Sequence, residues 1–141
     1  MQFDLHPFSG IEAARDWARG EIDSSATAAR GRFLTLSPGQ ESIYQAKYAE
    51  ALVFAGNGSA GDEAAFPWLA AEAKSTGVTL REVAEGIKRR GDKWHLIYGP
   101  RIEALRVAAK GQVERLDDIG QVVVAARVAV RALQDVKEEG A

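Results

Sequence analysis

Apolar and small residues recur every three or four positions over most of the C-terminal half of the chain. They fall at Leu80, Ala84, Ile87, Gly91, Trp94, Tyr98, Ile102, Leu105, Ala109, Val113 and Leu116. A second run follows at Ile119, Val122, Ala126, Ala129, Leu133 and Val136. That spacing is one face of an α-helix. Two helices striped in this way need a partner surface. The pattern predicts helical packing and assembly rather than a catalytic pocket.

The upstream half reads the same way. Residues 1–8, with Phe3, Leu5, Pro7 and Phe8, predict a short extended arm. Ser9 followed by Glu12 has capping-box spacing. A stripe then runs through Ile11, Ala14, Ala18, Ile22, Ser25 and Ala29, with a stop expected near Gly31 and Phe33, Leu34 and Leu36 anchoring the turn. Ser37, Pro38 and Glu41 mark the next start, as cap, first helical position and first-turn acid. That helix carries Ile43, Tyr44, Tyr48, Ala51, Leu52 and Ala55; one bent rod over residues 10–55 is the alternative. The glycine-rich segment Gly56–Gly61 ends it.

A short helix is expected over about residues 63–74, with Pro67 near its start and Gly77 suited to its end. Thr79 and Glu82 form a second capping box before the long stripe. Pro100 removes a backbone hydrogen bond, so a kink or break is expected at Gly99-Pro100. Asp118 suits the cap of the last helix, which runs into a charged tail from Lys137 to Ala141. The expected class is all-α: a helical bundle or hairpin of long amphipathic helices with a short extended N-terminal arm. One domain is expected over 1–141, with an arm (1–8), a helical part (9–55), a glycine-rich loop (56–62) and a second helical part (63–141).

With 141 residues, 46% of them hydrophobic, the chain can bury one modest core. It has no Cys, which excludes disulfides and thiolate metal sites. No segment has the roughly 18–20 apolar residues that span a bilayer. The opening Met1-Gln2-Phe3-Asp4 lacks a basic leader before an apolar core, so no signal peptide is expected. The formal net charge of −2 is uneven. Acids outnumber bases over residues 1–63, and bases outnumber acids over 81–116.

Several patterns bear on chemistry. Gly56, Gly58 and Gly61 satisfy G-x-G-x-x-G, but the preceding segment is helical and no βαβ unit follows, so an interhelical loop is expected. His6 and His95 lie far apart, and neither has a ligand partner at helical spacing. Asp117-Asp118 and Glu138-Glu139 are adjacent pairs, which do not supply the opposed geometry of paired catalytic carboxylates. No cofactor, metal or catalytic residue is expected. The basic positions Lys88, Arg89, Arg90, Lys93 and Arg101, near Trp94 and Tyr98, form a candidate nucleic-acid face. The sequence pI near 5.7 weighs against a dedicated nucleic-acid binder.

Pro67–Ala73, Gly77–Ala84, Ile87, Trp94, Ile102–Ala104, Arg106 and Ala109–Lys110 resemble a recurring helical region of bacteriophage proteins. Ala28, Arg30, Phe33, Pro38–Gln40, Tyr44, Lys47 and Glu50–Ala51 match its upstream part. The chain is thus similar to small tail-fibre-associated and tail-fibre assembly proteins of tailed phages, and departs from their pattern at Gly99-Pro100. The resemblance implies a virion structural protein or an assembly chaperone, not an enzyme. It implies a location in the virion or in the host cytoplasm during assembly. The implied partner is a fibre or other virion protein, with homo-oligomers possible and no membrane insertion. It carries over no chemical site. Phe3, Phe8, Tyr44, Tyr48, Trp68 and Trp94 are the candidate partner contacts, because large aromatics often dominate binding energy.

Overall fold

The computed structural model describes residues 8–34, 39–59 and 61–138. Among these residues six α-helices occur and no strand: α1 (Ile11–Gly31), α2 (Gln40–Gly56), α3 (Pro67–Thr76), α4 (Leu80–Lys93), α5 (Gly99–Arg115) and α6 (Ile119–Gln134). A 3₁₀ turn spans Glu63–Ala65 and a π-helical turn spans Trp94–Tyr98. The all-α class is therefore as the stripes predict. Phe3, His6 and most of the extended arm lie outside the described residues, as do Leu36, Ser37, Pro38 and the end of the tail.

The helices group into two compact units, one of residues up to 33 and from 98 onward, the other of residues 34–97. In the first, α1, α5 and α6 all pack on one another. Its core takes Ala14, Ala18, Ile22, Ala26 and Ala29 from α1, Ile102, Ala109 and Val113 from α5, and Val122, Ala126, Ala129 and Leu133 from α6. Four of the five α1 residues are alanines, so neighbouring helices approach closely and the larger side chains come mainly from α5 and α6. Phe33 stacks on the buried Tyr98, ring centroids 4.5 Å apart.

The second unit packs α2, α3 and α4 around Ala51, Phe54, Phe66, Leu69, Val83, Ala84 and Ile87. Phe54 meets Phe66 edge to face at 5.3 Å. The long stripe thus serves two cores. Ala84 and Ile87 line this one, and Tyr98, Ile102, Ala109 and Val113 line the other.

Local chemistry sets most element ends. Thr79 accepts the Glu82 N–H and Asp118 accepts the Gln121 N–H, so both expected caps form. Pro67 is the first residue of α3, and Gly77 closes that helix with left-handed φ of 74°. Two expectations are corrected. Ser9 does not cap α1: Gly10 holds that position with no side-chain bond. Residues 10–55 are not one rod, because α1 stops at Gly31 and α2 starts at Gln40.

Of the kink or break expected at Gly99-Pro100, the break does not occur. Helical backbone continues from Leu80 to Arg115, with the π-helical turn immediately before Gly99. A π-helical turn is wider than an α-helical one, which suits the approach to Pro100, whose ring crowds the carbonyl four residues earlier in a regular helix. Two arginines from the α1 end of the chain close the partner helices. Arg15 donates to the carbonyls of Val113 (3.3 Å) and Leu116 (2.7 Å) at the end of α5. Arg32 donates to those of Leu133 (2.6 Å) and Val136 (2.7 Å) at the end of α6. Each places a positive charge where the helix dipole and unpaired carbonyls favour one.

Candidate protein interaction surface

The candidate residues divide between the units, and the second unit holds most of them. Tyr48 on α2 lies flat against α4. Gly91 makes this possible, because a Cβ there would overlap the Tyr48 ring. The Tyr48 hydroxyl donates to Asp92 Oδ1 at 2.7 Å, and Lys88 Nζ donates to Asp92 Oδ2 at 2.7 Å. The His95 ring stacks on Tyr48 at 4.4 Å.

The electrostatics suit a clamp. Hydrogen bonding to the Asp92 carboxylate, with burial adding to it, pushes the Tyr48 hydroxyl up to about 12. Lys88, and then Tyr48, hold the Asp92 carboxyl below its usual range. Tyr48 therefore stays neutral and its hydroxyl stays directed at Asp92. Lys88 is engaged on Asp92, while Arg89 and Arg90 are exposed on α4. Arg101, the fifth basic candidate, belongs to the other unit, 5.7 Å over the Tyr98 ring.

Trp68 sits in the first turn of α3, which has no side-chain cap of its own. Glu50 of α2 supplies one: Oε1 accepts the Trp68 N–H at 3.0 Å and the Leu69 N–H at 3.1 Å. A carboxylate at a helix N-terminus satisfies orphan donors and complements the dipole. Lys47 ties the same two helices through Glu72 at 2.6 Å. Leu69 is buried while Trp68 remains 44% exposed, an aromatic held outward on a fixed helix start. Leu96 in the π-helical turn is 71% exposed, and Ile97 beside it is also exposed.

Tyr44 and Trp94 are half-buried. In the first unit Phe8 is half-buried against Trp17, ring centroids 5.5 Å apart. Phe3 lies outside the described residues. The glycine loop follows α2 rather than a strand, so Gly56, Gly58 and Gly61 do not form the strand–turn–helix of a dinucleotide site. Gly61 has a packing reason instead, since a Cβ there would overlap the Phe66 ring. Among the described residues no group of three or more His, Asp or Glu side chains is placed to hold a metal ion. No helix among them is long and apolar enough to cross a membrane.

Sequence reasoning named Tyr48, Trp68 and Lys88 but missed Glu50, Asp92, Leu96 and Ile97. Asp92 and Lys88 are four apart, a spacing that signals a helical ion pair. Nothing in the local sequence links Glu50 to Trp68. Leu96 and Ile97 fall off the inward stripe, which is the one signal that they face outward. No family model, curated protein or solved structure matches the chain.

Proposed function

We propose that this chain is a tail-fibre-associated structural or assembly protein of tailed bacteriophages, acting through helix-mediated protein–protein contacts. The phage setting rests on the sequence resemblance. The observation that carries the contact mechanism is Trp68, exposed yet held in place by the Glu50 cap on α3. A half-exposed tryptophan on a helix start whose backbone Glu50 fixes offers a large apolar area to a partner. Leu96 and Ile97 extend the apolar material available to a partner. The nucleic-acid reading has weaker support, because Lys88 is engaged on Asp92 and the sequence pI is near 5.7.

Co-expression with a tail-fibre protein of a tailed phage tests the reading. A complex of fixed stoichiometry that Trp68→Ala weakens supports it. Separate elution of the two proteins counts against it. Mass spectrometry of purified particles then separates the two versions: a structural protein stays in the mature virion, and a chaperone does not.

A further inference from the structure

Asn57 is the single asparagine of the chain, and Gly58 follows it. The pair closes α2 in a Schellman turn. The Ser59 N–H donates to the Phe54 carbonyl at 3.0 Å, and the Gly58 N–H donates to that of Ala55 at 3.1 Å. Gly58 takes the left-handed φ of 70° that this turn requires. Asn57 is exposed, and among the described residues its side-chain amide has no hydrogen-bond partner. The turn explains why glycine follows asparagine here. The same order sets a free side-chain amide beside a backbone nitrogen that no side chain shields. No basic residue lies in the last turn of α2, and Asp62 and Glu63 follow a few positions on.

We propose that Asn57 is a self-modification site, where water replaces the side-chain amide at a rate set by opening of the turn that closes α2. The Gly58 nitrogen, once it has lost its proton, attacks Asn57 Cγ. The bond from that nitrogen to Cγ forms and the Cγ–Nδ2 bond breaks, so Nδ2 leaves as ammonia with a proton taken from solvent. A five-membered cyclic imide remains. Water then opens it on either side. Breaking the bond from nitrogen to Cγ leaves aspartate, and breaking the bond from nitrogen to the Asn57 backbone carbonyl carbon leaves isoaspartate. No oxidant or reductant takes part. The closed turn opposes the first step in two ways. The Gly58 N–H is held on Ala55. Ring closure also needs Cβ and the Gly58 nitrogen nearly eclipsed about the Asn57 Cα–C bond, and ψ of 21° holds them well apart. Local opening of this exposed helix end removes both obstacles. The products close α2 less well. Each adds a negative charge at the helix C-terminus, where the dipole and free carbonyls disfavour it. Isoaspartate also lengthens the backbone by one methylene.

Incubation of the full chain at mildly alkaline pH, folded and in urea, followed by peptide mapping, reads the outcome. The expected product is a peptide one mass unit heavier, resolved into aspartate and isoaspartate forms of residue 57. The folded chain converts about tenfold more slowly than the unfolded one, as for a turn that is open about one-tenth of the time. Half of the folded chain is then converted after about ten half-lives of the unfolded reaction. Asn57→Asp, which reproduces one product, speeds hydrogen exchange of the Gly58 and Ser59 amides about twofold to fivefold. A folded chain without product at that time overturns the proposal, as do equal rates in the two states. Aspartate without isoaspartate also overturns it, because direct hydrolysis of the side-chain amide gives aspartate alone. Unchanged exchange in Asn57→Asp overturns the loosening of the turn.

Discussion

The Tyr48 ring rests on the bare backbone of Gly91, where a Cβ would overlap the ring. Glycine normally weakens a helix interior by about 1 kcal/mol relative to alanine. At this position it lets α2 and α4 meet through an aromatic side chain whose hydroxyl reaches Asp92.

Gly91→Ala should therefore destabilise the fold despite its better helix propensity. Overpacking costs about 1–3 kcal/mol, and the displaced ring loses its bond to Asp92. Urea unfolding checks the net effect. In a Tyr48→Ala background the same substitution should change sign and stabilise, since the ring is gone and propensity alone acts. Destabilisation of equal size in both backgrounds would disprove the contact.

The Tyr48–Asp92 bond makes stability depend on alkaline pH. The folded chain holds the Tyr48 hydroxyl up to about 12, above its ordinary value of 10. A group raised in the folded state stabilises it fully below the unfolded value. That contribution is lost as pH rises from about 10 through about 12. The phenolate absorbance should contain one late component that vanishes in Tyr48→Phe. The stability of Tyr48→Phe should also fall less over this window than that of the parent.

Arg32→Met should fray the end of α6. It leaves the Leu133 and Val136 carbonyls without their charged donor, at about 1–3 kcal/mol for hydrogen bonds of this type. Hydrogen exchange should speed up first in the last turn of α6. Arg15→Met should do the same at the end of α5. Uniform loss of protection over all helices would contradict a local closing role.

Two caps and the unused Ser9 separate by mutation. Thr79→Ala and Asp118→Ala should each cost about 1 kcal/mol, because each side chain satisfies a first-turn N–H. Ser9→Ala should stay within about 0.5 kcal/mol, since α1 begins at Ile11 after an uncapped Gly10. Thermal and urea unfolding of the three variants give the ranking.

Legibility tracked the range of the interaction. The inward stripes were readable because helical burial repeats locally: Ala14, Ala18 and Ile22, or Val122, Ala126 and Leu133, each follow from neighbours three or four positions away. Thr79 and Asp118 were readable for the same reason. Ser9 misled because capping-box spacing is common and does not fix where helical backbone begins. The π-helical turn was invisible, since Trp94 and Tyr98 at a step of four fit either helix. Arg15 and Arg32 close helices about a hundred positions away, and Glu50 caps a helix that starts beyond an intervening loop. Such pairings depend on how the helices pack, which periodicity does not encode. Gly91 reads in the sequence as one more small stripe position; only the packing of Tyr48 on it shows why a side chain is excluded there.

Under the proposed function this chain offers fixed helical surfaces to another protein. Light scattering on the full chain co-expressed with a tail-fibre protein, the partner proposed above, tests this, repeated with Trp68→Ala. The expected result is a complex of fixed stoichiometry that dissociates at least about tenfold more readily when Trp68 is truncated. Two separate species, or a complex indifferent to Trp68, would contradict it.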